Sequence, residues 1–566
     1  MPPRWLARVL ACAVIVSTFG PMVRAQADRD AIERLEQERA QRVQRSTSTL
    51  APMAPPVQPN RAWLPPLENE TPCFPVHRFV WAQVTERIPL AVSSMLQDLP
   101  GYVGQCLGAQ SLDRLRLNLD ARLLEAGYVT SRVYLPEQSL TEGVLTFGLQ
   151  LGRVGLLKHR TRDGVPIEAP SNWLPVKAGD VLNLRHLEQG AENSTRLPSL
   201  SARILIEPGE EPGTSNLVIV HSGAPRWTAR VELDNEGLDD FGRGQILFQA
   251  SVDLGWWGAD QLLLWHQRAA AASQGRQQHR SDLSYSVAWG AQLLSVGVGG
   301  GGYRRLVRGA TVDFAESSRD HSARVELQRV LWRSAGARLS AAVGANRHDA
   351  QSFIEDTELL LQRRRSSSLT WGISAQWRRS TWSGSAHWNR QLVRDNDPGI
   401  DLMPGPVERP RHDTLGLDYR RSAIGLPLNY MTQVAIRWVR DPAYGPDLPA
   451  LGGAGTVRGF DGSQQVVGRR SAVWRQDISI DLPAGTSGLQ DLAHQLGFGL
   501  DVGQVGELEP GVDTSSHQRR LIGMQVALRS QWRRLTSEVA LSRALQHPHE
   551  WKRPRSRLSF QLAGHF

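Results

Sequence analysis

The chain has 566 residues and a formal net charge of +9. Lysine stands only at positions 158, 177 and 552, so nearly all the basic charge is arginine. The arginines are scattered along the chain and form no single patch, a distribution that argues against a nucleic-acid-binding protein. Arginines that line a water-filled lumen account for the charge better.

The N-terminus has the pattern of a secretory signal peptide. Arg4 and Arg8 form the positive region, residues 9–19 form the apolar core, and Ala25 is a small residue suited to cleavage. Because this apolar core is too short to span a bilayer as a helix, a membrane anchor is disfavoured. We therefore expect residues 1–25 to be removed on export.

The cysteines agree with an exported protein. Cys12 lies in the signal peptide, which leaves Cys73 and Cys106 as a pair in an oxidising compartment. A disulfide between them is the natural expectation, and two cysteines alone make a poor metal site. After residue 19 no apolar run approaches the length of a transmembrane helix, but a chain without such helices can still cross a membrane as a closed barrel.

Residues 28–45 form one predicted polar helix within the segment 26–45. Acidic residues begin it and arginines end it, which matches the helix dipole. Its apolar positions are only Ile32, Leu35 and Val43, too few for a stripe that packs on a core. Two interpretations stay open, a solvated or disordered arm and a plug helix inside a polar lumen.

Residues 46–72 are a predicted linker. Seven prolines punctuate this stretch, and proline favours extended polyproline conformations with semi-rigid reach. A plug joined to the rest of the protein by such a tether can leave a lumen without being lost.

Two similar α+β units are predicted next, at 73–151 and 152–224. In the first, Ser111 is the expected N-cap of a helix that ends at Gly127. In the second, Asn183 begins the corresponding helix. Two strands follow each helix, at 131–135 and 144–149 and at 202–206 and 216–220. Each unit therefore has an exposed sheet edge, and such an edge can accept an extended partner strand.

From residue 225 to 566 the sequence is a series of short alternating strands. In 428–438, for example, apolar side chains at even positions alternate with mostly polar ones. Apolar-out, polar-in strands of this kind are typical of outer-membrane barrels, and about sixteen are predicted. The 18 tryptophans outnumber either other aromatic residue, as expected of rings at the membrane interfaces. So long a meander disfavours the alternative, a soluble β-sandwich.

A glycine-rich loop and a glycine-notched strand stand out within this region. The loop, at 451–460, carries Arg458; the strand places Asp501 on its polar face between glycines. On the same face lie Gly497, Gly499 and Gly503. An arginine on a loop and a carboxylate in a glycine notch suggest a loop folded into the barrel and held by a bidentate pair. This pattern indicates a gated pore.

Several motifs resemble those of one family. They are the tetrad Val457, Arg458, Gly459 and Phe460, the strand motif around Gly499, Asp501 and Gly503, the pair Cys73 and Cys106, and the segments 127–138 and 183–189. With the order of the domains, they resemble the two-partner secretion transporters (TpsB proteins), relatives of the bacterial outer-membrane assembly factor. The resemblance covers nearly the whole mature chain. The one departure in the tetrad is Phe460, where tyrosine is commoner.

The resemblance implies a fold and a function. The fold is an N-terminal plug helix (26–45), two α+β POTRA domains in the periplasm, and an all-β barrel (225–566) of 16 antiparallel strands in the outer membrane of a Gram-negative bacterium. Its sixth extracellular loop, at about 441–471, folds into the pore. The function is ATP-independent export of an unfolded exoprotein that carries an N-terminal secretion domain. The cargo of such transporters is an adhesin, a haemolysin or a contact-dependent toxin.

Further partners and two rival functions follow. Outer-membrane lipid surrounds the barrel, and the terminal aromatic Phe566 suits recognition by the outer-membrane assembly machinery. A barrel insertase, the main alternative, shares the loop arginine but usually has more POTRA units. A passive porin or adhesin barrel needs neither feature.

Catalysis is not indicated by any set of residues. The sequence shows no nucleophile elbow, phosphate loop or paired-carboxylate arrangement. We therefore expect a protein that is not an enzyme, with no cofactor, no metal site and no nucleic-acid partner.

Overall fold

The computed structural model of the chain describes residues 63–82, 89–97, 99, 101–221, 223–238, 241–270, 275–308, 312–395, 410–422, 427–440, 447–462, 464–483, 491–506, 519–551 and 554–566. The predicted signal peptide, the predicted plug helix and residues 46–62 of the predicted linker lie outside the described residues.

The first α+β unit combines a small mixed sheet with one long helix. Its elements are β1 (Phe74–Val76), β2 (Arg78–Trp81), α1 (Leu90–Ser93), a 3₁₀ turn (Ser94–Leu96), β3 (Gln105–Leu107), α2 (Ala109–Glu125), β4 (Arg132–Tyr134) and β5 (Val144–Gln150). Strand β5 is central, with β2 parallel and β4 antiparallel to it, while β1 and β3 form a separate pair. Leu115, Leu119 and Leu123 of α2 are buried in the core, and Leu112 is partly buried against it.

The start of α2 differs from the sequence prediction. The helix begins two residues before Ser111, with Gly108 as N-cap, so the prediction of Ser111 as the cap was wrong. The carboxylate of Glu70 satisfies the free amides instead, since it accepts hydrogen bonds from the backbone N of Gly108 (3.0 Å), Gln110 (3.0 Å) and Ser111 (3.2 Å). The hydroxyl of Ser111 accepts from the N of Leu67. The sequence did not predict this cap because Glu70 lies far from α2 in the chain, whereas capping patterns are local.

The end of the predicted linker is docked on α2. Leu64 and Asn118 exchange two hydrogen bonds, with N of Leu64 donating to Oδ1 (3.0 Å) and Nδ2 of Asn118 donating to the carbonyl of Leu64 (2.8 Å). The hydroxyl of Tyr102 donates to that carbonyl too (2.7 Å). The guanidinium of Arg122 lies 4.5 Å from the ring centroid of Trp63. The described part of the linker is therefore part of the first unit.

The second α+β unit repeats the plan of the first. Its elements are β6 (Arg153–Arg160), α3 (Leu184–Thr195), β7 (Arg203–Pro208) and β8 (Thr214–Val220). Strand β8 is central, parallel to β6 and antiparallel to β7. Asn183 is the N-cap of α3, as predicted, and its side chain accepts from the N of Arg185 at 2.8 Å.

Sixteen long antiparallel strands then close into a barrel in the described part of the chain. They are β9 (Trp227–Asp234), β10 (Gln245–Asp253), β11 (Ala259–Ala269), β12 (Gln277–Trp289), β13 (Gln292–Val307), β14 (Phe314–Arg333), β15 (Ala337–Ile354), β17 (Arg364–Arg378), β18 (Trp382–Asp395), β19 (Arg411–Ser422), β20 (Leu428–Arg440), β23 (Arg470–Asp481), β24 (Leu492–Gly506), β25 (Arg520–Trp532), β26 (Leu535–Gln546) and β27 (Arg557–His565). The short β16 (Thr357–Glu358) extends the hairpin of β15, and β9 pairs with β27 to close the barrel. The predicted fold class is confirmed.

The two faces of the barrel follow the predicted alternation. On β24, Phe498 and Leu500 are 55% and 44% exposed while Asp501 is fully buried. Arginines on the inner face pair with carboxylates, as in Arg324 with Asp282 at 2.6 Å and Arg280 with Asp320 at 3.2 Å. Among the described residues, no helix has the length and apolar character needed to cross a membrane.

Candidate functional site: a loop held inside the barrel

The loop between β20 and β23 is the sixth on the extracellular side and corresponds to the predicted segment at about 441–471. Two short strands within it, β21 (Ala450–Leu451) and β22 (Val466–Val467), pair antiparallel. Between them the chain makes a tight turn in which Oγ1 of Thr456 accepts from the N of Gly452 (3.1 Å) and of Gly453 (3.2 Å). This turn presents Arg458 to the inner wall of the barrel.

Arg458 is bound by groups from three neighbouring strands. Its backbone N and its Nε each donate to Oδ2 of Asp501 at 2.8 Å, and Nη2 donates to Oδ1 at 2.5 Å. Its Nη1 donates to Oδ1 of Asp477 on β23 (2.5 Å) and to Oε1 of Gln525 on β25 (3.2 Å). The structure thus brings together the predicted pair, Arg458 and Asp501, and adds the carboxylate of Asp477 as a second partner of the arginine.

A second arginine completes the charges at this site. Nε of Arg475 donates to the carbonyl of Thr456 (3.1 Å), Nη2 donates to that of Ala454 (2.5 Å), and Nε lies 3.5 Å from Oδ2 of Asp501. Two arginines therefore face two carboxylates, and the side chain of Asp501 has no exposed surface. The charges balance in a partly buried site, where Asp477 and Arg475 keep 25% and 22% of their side-chain surface exposed. Such pairs are stronger there than at a surface.

Glycines make room for the loop against the wall. A Cβ at Gly499 would lie 2.4 Å from Nη1 of Arg458, and one at Gly523 would lie 1.7 Å from the carbonyl oxygen of Arg458. At Gly503 a Cβ would meet Cγ2 of Val457 at 2.6 Å. Gly459 has a φ of +95° and lies against the backbone of β26. The predicted notch is therefore filled by the loop.

Apolar side chains pack on both sides of the arginine. Val457 and Phe460 are buried with Leu451, Val505 and Leu521 in one cluster. The ring of Phe460 meets that of Trp551 edge to face, with centroids 5.9 Å apart. All four members of the tetrad thus contact the barrel wall or its neighbouring loop.

The remaining predicted residues lie elsewhere. Cys73 and Cys106 form a disulfide in the first α+β unit, as predicted, with Cα atoms 5.2 Å apart. Phe566 lies at the closing seam of the barrel, where its backbone exchanges two hydrogen bonds with Ala229. Within the described ranges, no group of three or more metal-ligating side chains is placed to hold an ion.

Sequence reasoning missed several contributors to the site. The role of Asp477 depends on strand register, which pairs it with Gly499. Gly523 is paired with Asp501 across β24 and β25, and no motif had singled it out. Gln525 and Arg475, which also contact the loop, were likewise indicated by no motif. The one sequence feature that could have indicated these residues is a polar or small side chain at an inward-facing position, on a strand next to the one that carries Asp501.

Known proteins resemble this chain along nearly its whole length. Family models described as "POTRA domain, ShlB-type" and "POTRA domain" match residues 74–150 and 169–208. The outer membrane transporter CdiB-2 of Burkholderia pseudomallei (strain 1026b) is 27% identical over 556 residues, which cover 94% of this chain and 93% of that protein.

Solved structures share the fold. CdiB from Escherichia coli superposes with a TM-score of 0.80 at 22% identity and covers 95% of this chain and 98% of that chain. CdiB from Acinetobacter baumannii gives a TM-score of 0.82 at 19% identity, over 95% and 99% of the two chains.

A third family model, described as "Haemolysin secretion/activation protein ShlB/FhaC/HecB", matches residues 213–530, more than half of the chain. The barrel thus lies in the outer membrane, with the two POTRA domains in the periplasm. The chain belongs to the ShlB/FhaC/HecB family of outer-membrane transporters of two-partner secretion.

Proposed function

We propose that this transporter binds an unfolded exoprotein on its POTRA domains and passes it through the barrel while the loop arginine holds the pore in its working form. The observation that carries this proposal is the position of Arg458, bound by two carboxylates inside a closed barrel. No chemical step is needed, so we propose that the protein is not an enzyme and uses no cofactor. Folding of the cargo outside the cell would bias movement outward.

Open sheet edges support the recognition step. In the described sheets, β7 pairs only with β8, and β4 pairs only with β5, so each leaves one edge without a strand partner. An extended cargo segment can add to such an edge through main-chain hydrogen bonds, which make little demand on sequence. This suits a cargo that arrives unfolded. We propose that the cargo presents its N-terminal secretion domain in this way.

The loop contacts support the second step. With backbone and side chain of Arg458 both bound to Asp501, the loop can occupy one position on the wall. We propose that Val457, Arg458, Gly459 and Phe460, with Asp501, Gly499 and Gly503, form a lock that keeps the loop in the transport-competent position. The same contacts in a merely structural role would stabilise the barrel without affecting export.

We propose that the cargo is an adhesin, a haemolysin or a contact-dependent toxin. The similarity to a transporter named CdiB-2 over 94% of this chain supports the last class most. Further proposed partners are outer-membrane lipid around the barrel and the assembly machinery that reads Phe566. In this scheme the segment 26–45 acts as a plug that leaves the lumen, and the tether at 46–62 retains it.

A secretion assay tests the function. The chain is expressed with a candidate exoprotein from the same source, in cells that lack other such transporters, and exported cargo is measured for wild type and Arg458→Ala. Export by wild type, lost in an equally inserted variant, supports a dedicated transporter with a loop lock. No export of any candidate, together with defects in other outer-membrane barrels on deletion, would favour the insertase alternative instead.

A further inference from the structure

Helix α3 of the second POTRA domain carries a buried carboxylate that faces the barrel. Glu192 is 5% exposed, and its two oxygens are bound by Arg333 at the end of β14 and Arg338 at the start of β15. Nη1 of Arg333 donates to Oε1 at 3.0 Å, and Nη1 of Arg338 donates to Oε2 at 2.6 Å. The two arginines flank one periplasmic turn, so a single side chain holds both ends of it.

The cluster around Glu192 holds more arginines than carboxylates. Oε2 of Glu188, one helical turn from Glu192, lies 3.9 Å from Nη1 of Arg333. Gln189 accepts from Nη2 of Arg333 at 3.0 Å. Nη1 of Arg185 pairs with Oε1 of Glu188 at 2.5 Å. Two glutamates thus face three arginines, of which Arg333 and Arg338 have side chains that are 6% and 1% exposed. In such a setting, removal of one partner leaves a buried charge without compensation.

The domain also shares an apolar core with the barrel rim. Trp173 and Leu197 of the POTRA domain lie in one cluster with Ala259, Ala288 and Leu293 from the barrel. Apolar contact is non-directional and gives adhesion, whereas charged pairs with fixed geometry set the register of an interface.

More hydrogen bonds extend the interface along the rim. Nη1 of Arg196 donates to Oγ of Ser286 (2.7 Å), and Oγ of Ser199 donates to Oδ2 of Asp253 (2.6 Å). Burial lowers the pKa of Arg196 to about 10, so this side chain stays charged at neutral pH. Nδ2 of Asn193 reaches the carbonyl of Gly290 (2.8 Å). These contacts run along the periplasmic ends of β10 to β15, on one side of the barrel.

We propose that Glu192 is a positioning residue that fixes the second POTRA domain in one orientation at the pore mouth, so that its open β7 edge hands the cargo to the lumen. This inference rests on the proposed recognition of cargo by the POTRA domains. The two kinds of contact then have different roles. The apolar contacts keep the domain attached to the barrel, and the Glu192 cluster sets its orientation.

The test uses the full chain in cells with a cargo that wild type exports. Glu192→Gln keeps the shape of the side chain but removes its charge. Glu210→Gln, an exposed position on the same domain, is the matched control. We expect Glu192→Gln to insert and to capture cargo normally but to lower export on the order of ten-fold, as for a misplaced substrate. The control exports like wild type.

A cross-link reports the orientation without relying on export. Ser199→Cys with Asp253→Cys places two thiols where two side chains now share a hydrogen bond. We expect this disulfide to form more slowly in the Glu192→Gln background and, once formed, to restore export. Equal rates of formation, or a complete cross-link that leaves export low, would overturn the inference. If wild type exports no cargo, the proposed function fails. The difference in cross-linking rate still shows whether Glu192 fixes the orientation of the domain.

Discussion

Arg458 donates three hydrogen bonds to Asp501, and one of them comes from its own backbone. The N and Nε atoms both reach Oδ2 at 2.8 Å, and Nη2 reaches Oδ1 at 2.5 Å. The carboxylate therefore binds the main chain of the loop as well as the guanidinium. A lysine offers a single point charge and cannot reproduce the planar fork.

Substitution at either end of this pair should abolish export while sparing the barrel. Loss of one partner of a buried pair costs at most about 3–5 kcal/mol, because Asp501 keeps Arg475 and Arg458 keeps Asp477 as a second partner. The paired strands of the barrel keep it folded despite this loss. We expect Arg458→Ala, Arg458→Lys and Asp501→Asn each to reduce secreted cargo at least ten-fold, with normal insertion judged by heat-modifiable gel mobility. Arg421→Ala, exposed at the end of β19, is the control. Export by Asp501→Asn at the wild-type level would contradict the lock.

The glycine notch gives a steric test of the same lock. A Cβ at Gly523 would lie 1.7 Å from the backbone oxygen of Arg458, so Gly523→Ala must displace the loop. On β24, by contrast, a Cβ at Gly497 has its nearest neighbour at an ordinary 3.7 Å. We expect Gly523→Ala to match Arg458→Ala in the secretion assay and Gly497→Ala to match wild type. Equal export by the two alanine variants would show that close fit at the notch is unimportant.

The fold was more predictable than the site because alternation is a local property. Period-two alternation was enough to put Asp501 inside the barrel and Phe498 outside. The partners of Arg458 depend on strand register, and register is a long-range property that a single sequence does not reveal. Asp477 and Gly523 were therefore missed.

Distance along the chain hid two other interactions. Glu70 caps a helix whose N-cap, Gly108, lies 38 residues later in the chain, so the local capping pattern pointed to Ser111 instead. Glu192 meets Arg333 and Arg338 across separations of 141 and 146 residues. A glutamate inside an amphipathic helix gives no signal of such partners.

The disulfide should stabilise the first POTRA domain only. Cys73 and Cys106 are separated by 33 residues, and closing a loop of that length stabilises a fold by about 4 kcal/mol in the chain-entropy model. We expect Cys73→Ala with Cys106→Ala to make this domain sensitive to limited proteolysis of the full-length protein. Proteolysis of the barrel should not change. Protection of the domain equal to wild type would mean that α2 and its docked linker hold it without the bond.

The second POTRA domain should lose stability in mild acid because of a buried histidine pair. Nδ1 of His159 lies 2.9 Å from Nε2 of His221, and Nε2 of His159 lies 2.6 Å from Oγ of Ser171. Burial, with a smaller contribution from His221, lowers the pKa of His159 from 6.5 to about 4. Burial lowers the pKa of His221 as well.

The sign of the effect follows from proton binding. Between pH 6.5 and about 4 the unfolded chain binds a proton at His159 that the folded domain does not bind, so stability falls as the pH falls through this window. We expect amide hydrogen exchange in β6 and β8 of the full-length protein, corrected for its intrinsic pH dependence, to speed up from pH 7 to 5. His159→Gln should flatten this change, whereas His77→Gln, at an exposed position on the first domain, should leave it intact. An undiminished pH dependence in His159→Gln would place the acid sensitivity elsewhere in the domain.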